Sequence, residues 1–188
     1  MAAGDLTTLA TVRGYLPTID PTDIQFDDLL TRLITAVSTQ FTTDSGRVLA
    51  SATATETYSG LGGQRLTPKR WPITAVTSVY IDGELVPERP AVGEAGWVID
   101  EETSLCFDGY WLTQGLQNVE LTYTAGYTVI PADVEQACIK MVCLQFSDRN
   151  RIGQNSRAIA GESVNYADAP VLAYWRSVVD AYRTPRIG

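Results

Sequence analysis

The residues of this chain best suited to chemistry are its acids. Asp100, Glu101 and Asp108 lie close together in sequence, and two carboxylates held at a fixed separation can act as acid and base on a glycosidic bond. No aromatic-lined cleft can be inferred around them, so solvent-facing acids are the plainer reading. The segment SGLGGQR, Ser59 to Arg65, has the glycines of an anion-binding loop. No Lys-Ser or Lys-Thr follows and no helix opens after it, so a β-turn reads better. Histidine, the side chain most often recruited for proton transfer and for activating nucleophiles, does not occur. Cys106, Cys138 and Cys143 are odd in number and sit in apolar surroundings. Cys138 and Cys143 are five apart on a predicted helix and point in different directions. With no histidine and no Cys-x-x-Cys pair, a zinc ion finds almost no ligands. The cysteines are expected to be small buried hydrophobes in a reducing compartment. No catalytic residue, cofactor or metal is expected, and the chain does not read as an enzyme.

The bulk numbers narrow the partners. The 188 residues are 45% apolar and 19% charged, the balance of an ordinary globular domain rather than a disordered one. A net charge of -8 speaks against free-standing nucleic-acid binding, which needs concentrated Lys and Arg to meet phosphates. The weak basic cluster Arg149, Arg151 and Arg157 reads as a solvated turn. The opening MAAGDLTTLATVRGYL has neither a basic leader nor a continuous apolar run, so no signal peptide is expected. No stretch approaches the roughly 20 apolar residues needed to span a bilayer. Synthesis in a cytoplasm without membrane association is expected.

The pattern of apolar residues sets out the elements that must carry any site. Asp5 suits the N-cap of a short helix through Leu16, which the prolines of LPTIDP then stop. Thr22 and Gln25 have the spacing of a capping box. Phe26, Leu29, Leu30, Leu33, Ile34, Val37 and Phe41 follow as one broad apolar stripe of a long helix. From about Val48 to Tyr127 the period becomes that of short antiparallel strands. Asp82-Gly83 supplies one tight hairpin turn and Glu101 to Thr103 a second. Asp82, Glu84, Glu88, Glu94, Asp100, Glu101 and Glu102 crowd this region and are expected at solvated hairpin tips. The turn DGYW, Asp108 to Trp111, can form a contact surface or the edge of a core.

Then a strand turns sharply into a helix. Val119, Leu121 and Tyr123 alternate with polar residues, Gly126 and Pro131 intervene, and Val134, Cys138, Met141, Val142 and Phe146 recur at helical spacing. Pro131 suits the first helical turn, and Asp133 and Glu135 complement the positive end of the helix dipole. One short strand is expected at Glu162 to Tyr166. Asp168 then caps a last helix whose face is Val171, Tyr174, Trp175, Val178 and Tyr182. The expected fold is α+β: a small bundle of about four helices, residues 1–47 and 128–188, with a β-rich antiparallel insertion, 48–127, between the second and third. Tyr174, Trp175 and Tyr182 lie near Arg176 and Arg183, and Trp, Tyr and Arg dominate interface energetics. These aromatics either cover the chain's own core or form a contact surface, and the sequence leaves both open.

The ordered combination is more informative than any single motif. DLTTLATVRGYLPTID leads into the long helix ending near TDSGR, followed by WPITAVTSVYIDG from Trp71, then ELTYTAGYTVIPADVEQACIKMV, then IAGESVNYADAP. This combination resembles the head-to-tail connector proteins of tailed bacteriophages, also called adaptor or head-completion proteins. Tyr123, Gly126, Tyr127, Ile130, Pro131, Val134 and Ala137 match that family's strand-to-helix pattern. The resemblance implies a virion protein of the neck, a ring of about twelve copies under the portal. It would carry the DNA channel onward after packaging and receive the stopper or tail, with DNA passing through its lumen without specific binding. It implies a strand-to-helix corner at Tyr123, Gly126, Tyr127 and Pro131. Candidate contacts with the portal or with other subunits are Arg149, Arg151, Arg157, Tyr174, Trp175, Arg176, Tyr182 and Arg183. A stopper or tail-completion protein is the neighbouring alternative, and a carbohydrate- or host-binding module on a structural base is another. The long β insertion departs from the smaller members of the family.

Overall fold

Thr8, rather than Asp5, caps the first helix: its hydroxyl accepts the Thr11 amide at 3.1 Å and α1 runs only Leu9–Gly14. Asp5 is buried instead, where its carboxylate accepts the Thr35 hydroxyl at 3.0 Å. A computed structural model describes residues 4–16, 24–149, 156–159, 162–165 and 169–183. By internal contacts the chain divides into two compact units, Met1–Arg47 with Val129–Gly188, and Val48–Thr128.

In the first unit, α2 spans Asp27–Ser45 and starts at Phe26 with no side-chain cap, so the expected capping box is not how it begins. Thr22 lies outside the described residues. Asp27 and Asp28 in the first turn offset the exposed amides by charge. The helix stops at Gly46, whose φ of 73° a side chain would strain and whose amide closes on the Thr42 carbonyl. The expected stripe is too broad. Leu30, Ile34, Val37 and Phe41 are buried, but Leu29 is exposed and Leu33 only half-buried.

α3 (Ala132–Asp148) buries Val134, Ala137, Cys138, Ile139, Met141, Val142 and Phe146, and packs against both α2 and α4 (Ala169–Tyr182). The expected Asp168 cap of α4 lies outside the described residues. The expected single strand before α4 is a hairpin, β8 (Ser156–Ile159) with β9 (Glu162–Asn165). No described helix is long and apolar enough to cross a membrane.

In the second unit, β1 (Ala52–Gly60), β7 (Gly115–Ala125), β3 (Ile73–Ile81) and β4 (Glu84–Val86) form an antiparallel sheet in that order. A three-stranded sheet is ordered β2 (Arg65–Leu66), β6 (Ser104–Asp108), β5 (Gly96–Asp100). Leu66, Val79, Trp97, Leu105, Phe107, Val119, Leu121 and Tyr123 from both sheets make one core cluster. On the outer face, Thr53 pairs with Thr124 and Thr55 with Thr122 through hydroxyls 2.9 Å apart. Both expected hairpin turns form: Asp82 and Gly83 have φ of 52° and 82°, Glu101 and Glu102 of 49° and 58°.

Candidate functional site

The carboxylates do not converge. Asp100 of β5 pairs with Arg65 of β2, reaching past the intervening β6, Asp108 faces Arg89 at 3.7 Å, and Glu101 and Glu102 sit exposed in a turn. Gly60 ends β1, and Gly62 and Gly63 belong to the turn after it, pinned by Gly62 N–H to the Leu112 carbonyl at 2.7 Å. Among the described residues no group of His, Cys, Asp and Glu is placed to hold a metal ion. Burial pushes the Cys138 thiol up to about 12, so it stays protonated and inert at neutral pH.

The strand-to-helix corner is built from backbone constraints. Gly126 has a φ of 107°, and a Cβ there would lie 2.7 Å from the Ala50 carbonyl oxygen and 2.8 Å from that of Leu49. Its amide donates to the Pro72 carbonyl at 2.8 Å. Next to it, the Tyr127 amide donates to Leu49 at 2.7 Å, and the Ser51 amide donates back to Tyr127 at 3.1 Å. The two ends of the β-unit are thereby fastened to each other. Only a residue without Cβ allows that approach. Tyr123 is fully buried, and its hydroxyl donates to Glu56 at 3.0 Å while accepting the Arg70 amide at 3.2 Å. Glu56 also accepts from the Tyr58 hydroxyl and meets the Arg70 guanidinium at 3.3 Å. Burial raises both tyrosines above their usual range, keeping the phenols as donors to one carboxylate.

Pro131 stands one residue earlier than expected, as the N-cap of α3 rather than in its first turn, with φ -55° and ψ 136°. Its carbonyl accepts the Glu135 amide at 3.0 Å. Asp133 accepts both the Val134 amide at 2.9 Å and the Tyr182 hydroxyl at 3.0 Å, and the Tyr174 hydroxyl reaches the Asp133 carbonyl. The last helix thus holds the start of α3.

Most of the candidate contact residues are used within the helical unit. Trp175 is buried, its ring edge-on to Phe41 at 5.4 Å and its indole N–H donating to Asp44 at 3.2 Å. Lys140 lies over the Tyr174 ring at 4.2 Å. Arg149 is stacked on Phe146 and Phe26, 3.6 and 5.0 Å from the ring centres. Arg183 donates to the Asp44 carbonyl and pairs with Asp180 at 3.2 Å. Arg176 alone of the described candidates is exposed with no such partner. It borders a shallow groove of about 350 Å³ with Asp44, Trp175 and Asp180. Arg151 and the side chain of Arg157 lie outside the described residues. A second open groove, about 580 Å³, runs beside Leu29, Arg32, Leu33 and Ala36 of α2. Sequence reasoning placed Leu29 and Leu33 in the core, and only the excess width of the stripe signalled otherwise.

Three solved structures with this fold come from gene transfer agent particles. A chain in the neck of a native gene transfer agent particle, computed with C12 symmetry, is 17% identical, with a TM-score of 0.62 over 100% of this chain and 94% of that one. One in the neck of an empty gene transfer agent particle, computed with C6 symmetry, is 16% identical, TM-score 0.62, over 100% and 95%. One from the virion of a native gene transfer agent particle is 16% identical, TM-score 0.58, with the same coverage. At these identities the likeness is one of fold. No curated protein matches the chain. A model of the head completion protein family matches residues 5–184. With nearly its whole length accounted for in this way, the chain belongs to the head completion protein family.

Proposed function

We propose that this chain is a structural protein of the virion neck. Twelve copies form a ring between the portal and the stopper or tail, carrying the DNA channel outward after packaging and allowing head–tail joining. The observation that carries the reading is the family match over residues 5–184, supported by the fold shared with chains of C12 and C6 particle necks. The role needs no catalysis. The helical parts, 1–47 and 128–188, serve as the ring-forming core and the insertion, 48–127, as a platform. The corner at Tyr123, Gly126, Tyr127 and Pro131 turns the last strand of the insertion into α3. Arg176, with the neighbouring arginines and tyrosines of the C-terminal segment, faces the portal or the next subunit. Acidity suits the role: twelve copies at -8 carry about -96, and acids facing the lumen repel DNA phosphates instead of holding them. The described helices favour an adaptor over a mostly β stopper.

Electron microscopy of a lysate from the parent phage with this gene disrupted tests the reading. Filled or leaking heads beside complete, unattached tails are expected, and normal infectious virions would overturn it.

One observation favours a second reading for the insertion. Tyr80, Asp82, Gln117, Asn118 and Glu120 line an open groove of about 430 Å³. There Asp82 is held by Thr113 and by Asn118, the latter at 3.0 Å. An aromatic ring beside fixed polar groups suits a carbohydrate or host surface. Binding of the full-length protein to a glycan array, lost on Asp82→Ala, is the check.

A further inference from the structure

Two rows of exposed side chains in the helical unit mirror each other. Ile24, in the turn before α2, Asp28 and Arg32 are spaced by four residues and read apolar, acid, base. Leu172, Arg176 and Asp180 of α4 have the same spacing and read apolar, base, acid. Ile24 is 74% exposed and Leu172 39%, each large and apolar at a solvent boundary. Within the described residues the side chains of Asp28, Arg32 and Arg176 make no hydrogen bond or ion pair, although Asp27 beside them is held by Arg13 at 2.6 Å. Among the described residues the Asp180 carboxylate pairs only with the exposed Arg183. From Asp28 to Arg32 in α2, and along Leu172, Arg176 and Asp180 in α4, each four-residue step advances the helix by about 6 Å, so the charged positions of the two rows stay in register when laid side by side.

We infer that these rows are the two halves of a head-to-tail contact between copies of this chain. The helices run parallel across it, with Arg32 against Asp180, Asp28 against Arg176, and Ile24 against Leu172. The inference rests on the ring reading and deepens it. A ring closes only through two different surfaces on each copy, whereas a twofold contact of α2 on α2 would stop at a dimer. The open groove beside Leu29 and Leu33 adjoins the α2 row and supplies apolar surface next to its charges. Charged pairs at such an edge set register and exclude wrong partners, which suits a ring that must close at one size.

The test is charge reversal and rescue. Plasmid-borne Arg32→Asp and Asp180→Lys are each supplied to the gene-disrupted phage, and plaques are counted. Each single variant is expected to lower the titre roughly 100-fold, since like charges meet at every contact around the ring. The double variant is expected to restore it to within about tenfold of the parent. Because the side chains are exposed, each purified variant should melt within about 2 °C of the parent, separating assembly from folding. Parental titres for the singles, or a double variant as poor as either, overturn the contact. The neck reading is untouched by that result, since it stands on the gene-disruption phenotype. A second measurement fixes the pairing: Ile24→Cys with Leu172→Cys, oxidised in purified particles, should give a ladder beyond the dimer on non-reducing gels. Dimers from Ile24→Cys alone would show a twofold contact and overturn the head-to-tail assignment, and a portal adduct would overturn the choice of partner.

Discussion

The β-unit and the helical unit solve the same problem in opposite ways. The β-unit is closed upon itself. Its two ends are hydrogen-bonded to each other at Leu49, Ser51 and Tyr127, and its central carboxylate, Glu56, is met by Tyr58, Tyr123 and Arg70 from the same unit. The helical unit uses its large aromatics inwardly but, among the described residues, leaves a flank of α2 and a flank of α4 open. The difference follows from the backbone. Sheet strands need neighbours for their amides, so closure of the unit and satisfaction of its backbone come together. A helix satisfies its own backbone, so an outer flank stays free to meet another molecule.

The sharpest way to break the comparison is to remove an inward anchor. Trp175→Ala should cost about 4 kcal/mol and lower Tm by roughly 10 °C, because a buried ring on Phe41 and a hydrogen bond to Asp44 go together. A loss of less than about 1 kcal/mol by thermal unfolding would mean that Trp175 does not anchor the unit. Next comes the fastening of the β-unit. Gly126→Ala should cost about 3 kcal/mol, from a φ of 107° and a 2.7 Å approach to a carbonyl oxygen. Pro131→Ala, at a cap with no such crowding, should cost less than about 1 kcal/mol. Equal effects of the two in parallel melts would deny that the corner is set by Gly126.

Tyr123→Phe should cost about 1.5 kcal/mol, since it leaves Glu56 and the Arg70 amide each short of a partner. Denaturant titration at pH 7 checks it. The smallest effect concerns reactivity. The folded Cys138 thiol keeps its proton up to about 12, against an ordinary value of 9.0, so thiol reagents should leave it unmodified from pH 7 to 9 until the chain unfolds. By the same linkage, raising pH above 9.0 favours the unfolded chain, which releases the proton first. Mass spectrometry of labelled peptides reads this directly.

Much of the fold was legible in local pattern. Asp82-Gly83 and Glu101 to Thr103 signalled their turns because a tight reversal between strands demands positive φ, which few residues tolerate. The α3 face was legible because strict helical spacing from Val134 to Phe146 leaves one solution. The caps were less so. Asp5 has the chemistry of a cap, yet burial beside Thr35 uses its carboxylate differently, and Thr8 takes the role. The β8 strand was missed because SRAI carries too short an alternation to stand out before its partner is known.

By itself, the sequence determined most of the succession of helices and strands, though not β8, and the hairpin turns at Asp82-Gly83 and Glu101 to Thr103. Each of these is a local constraint of period or backbone angle, written in neighbouring residues. Only the tertiary structure decided which flank of the broad α2 stripe is covered, and that Trp175 faces inward while Arg176, the next residue, faces out. Those outcomes depend on where another helix lies and how wide a strip it shields. Periodicity names a helix face, but not its neighbours or how far they reach.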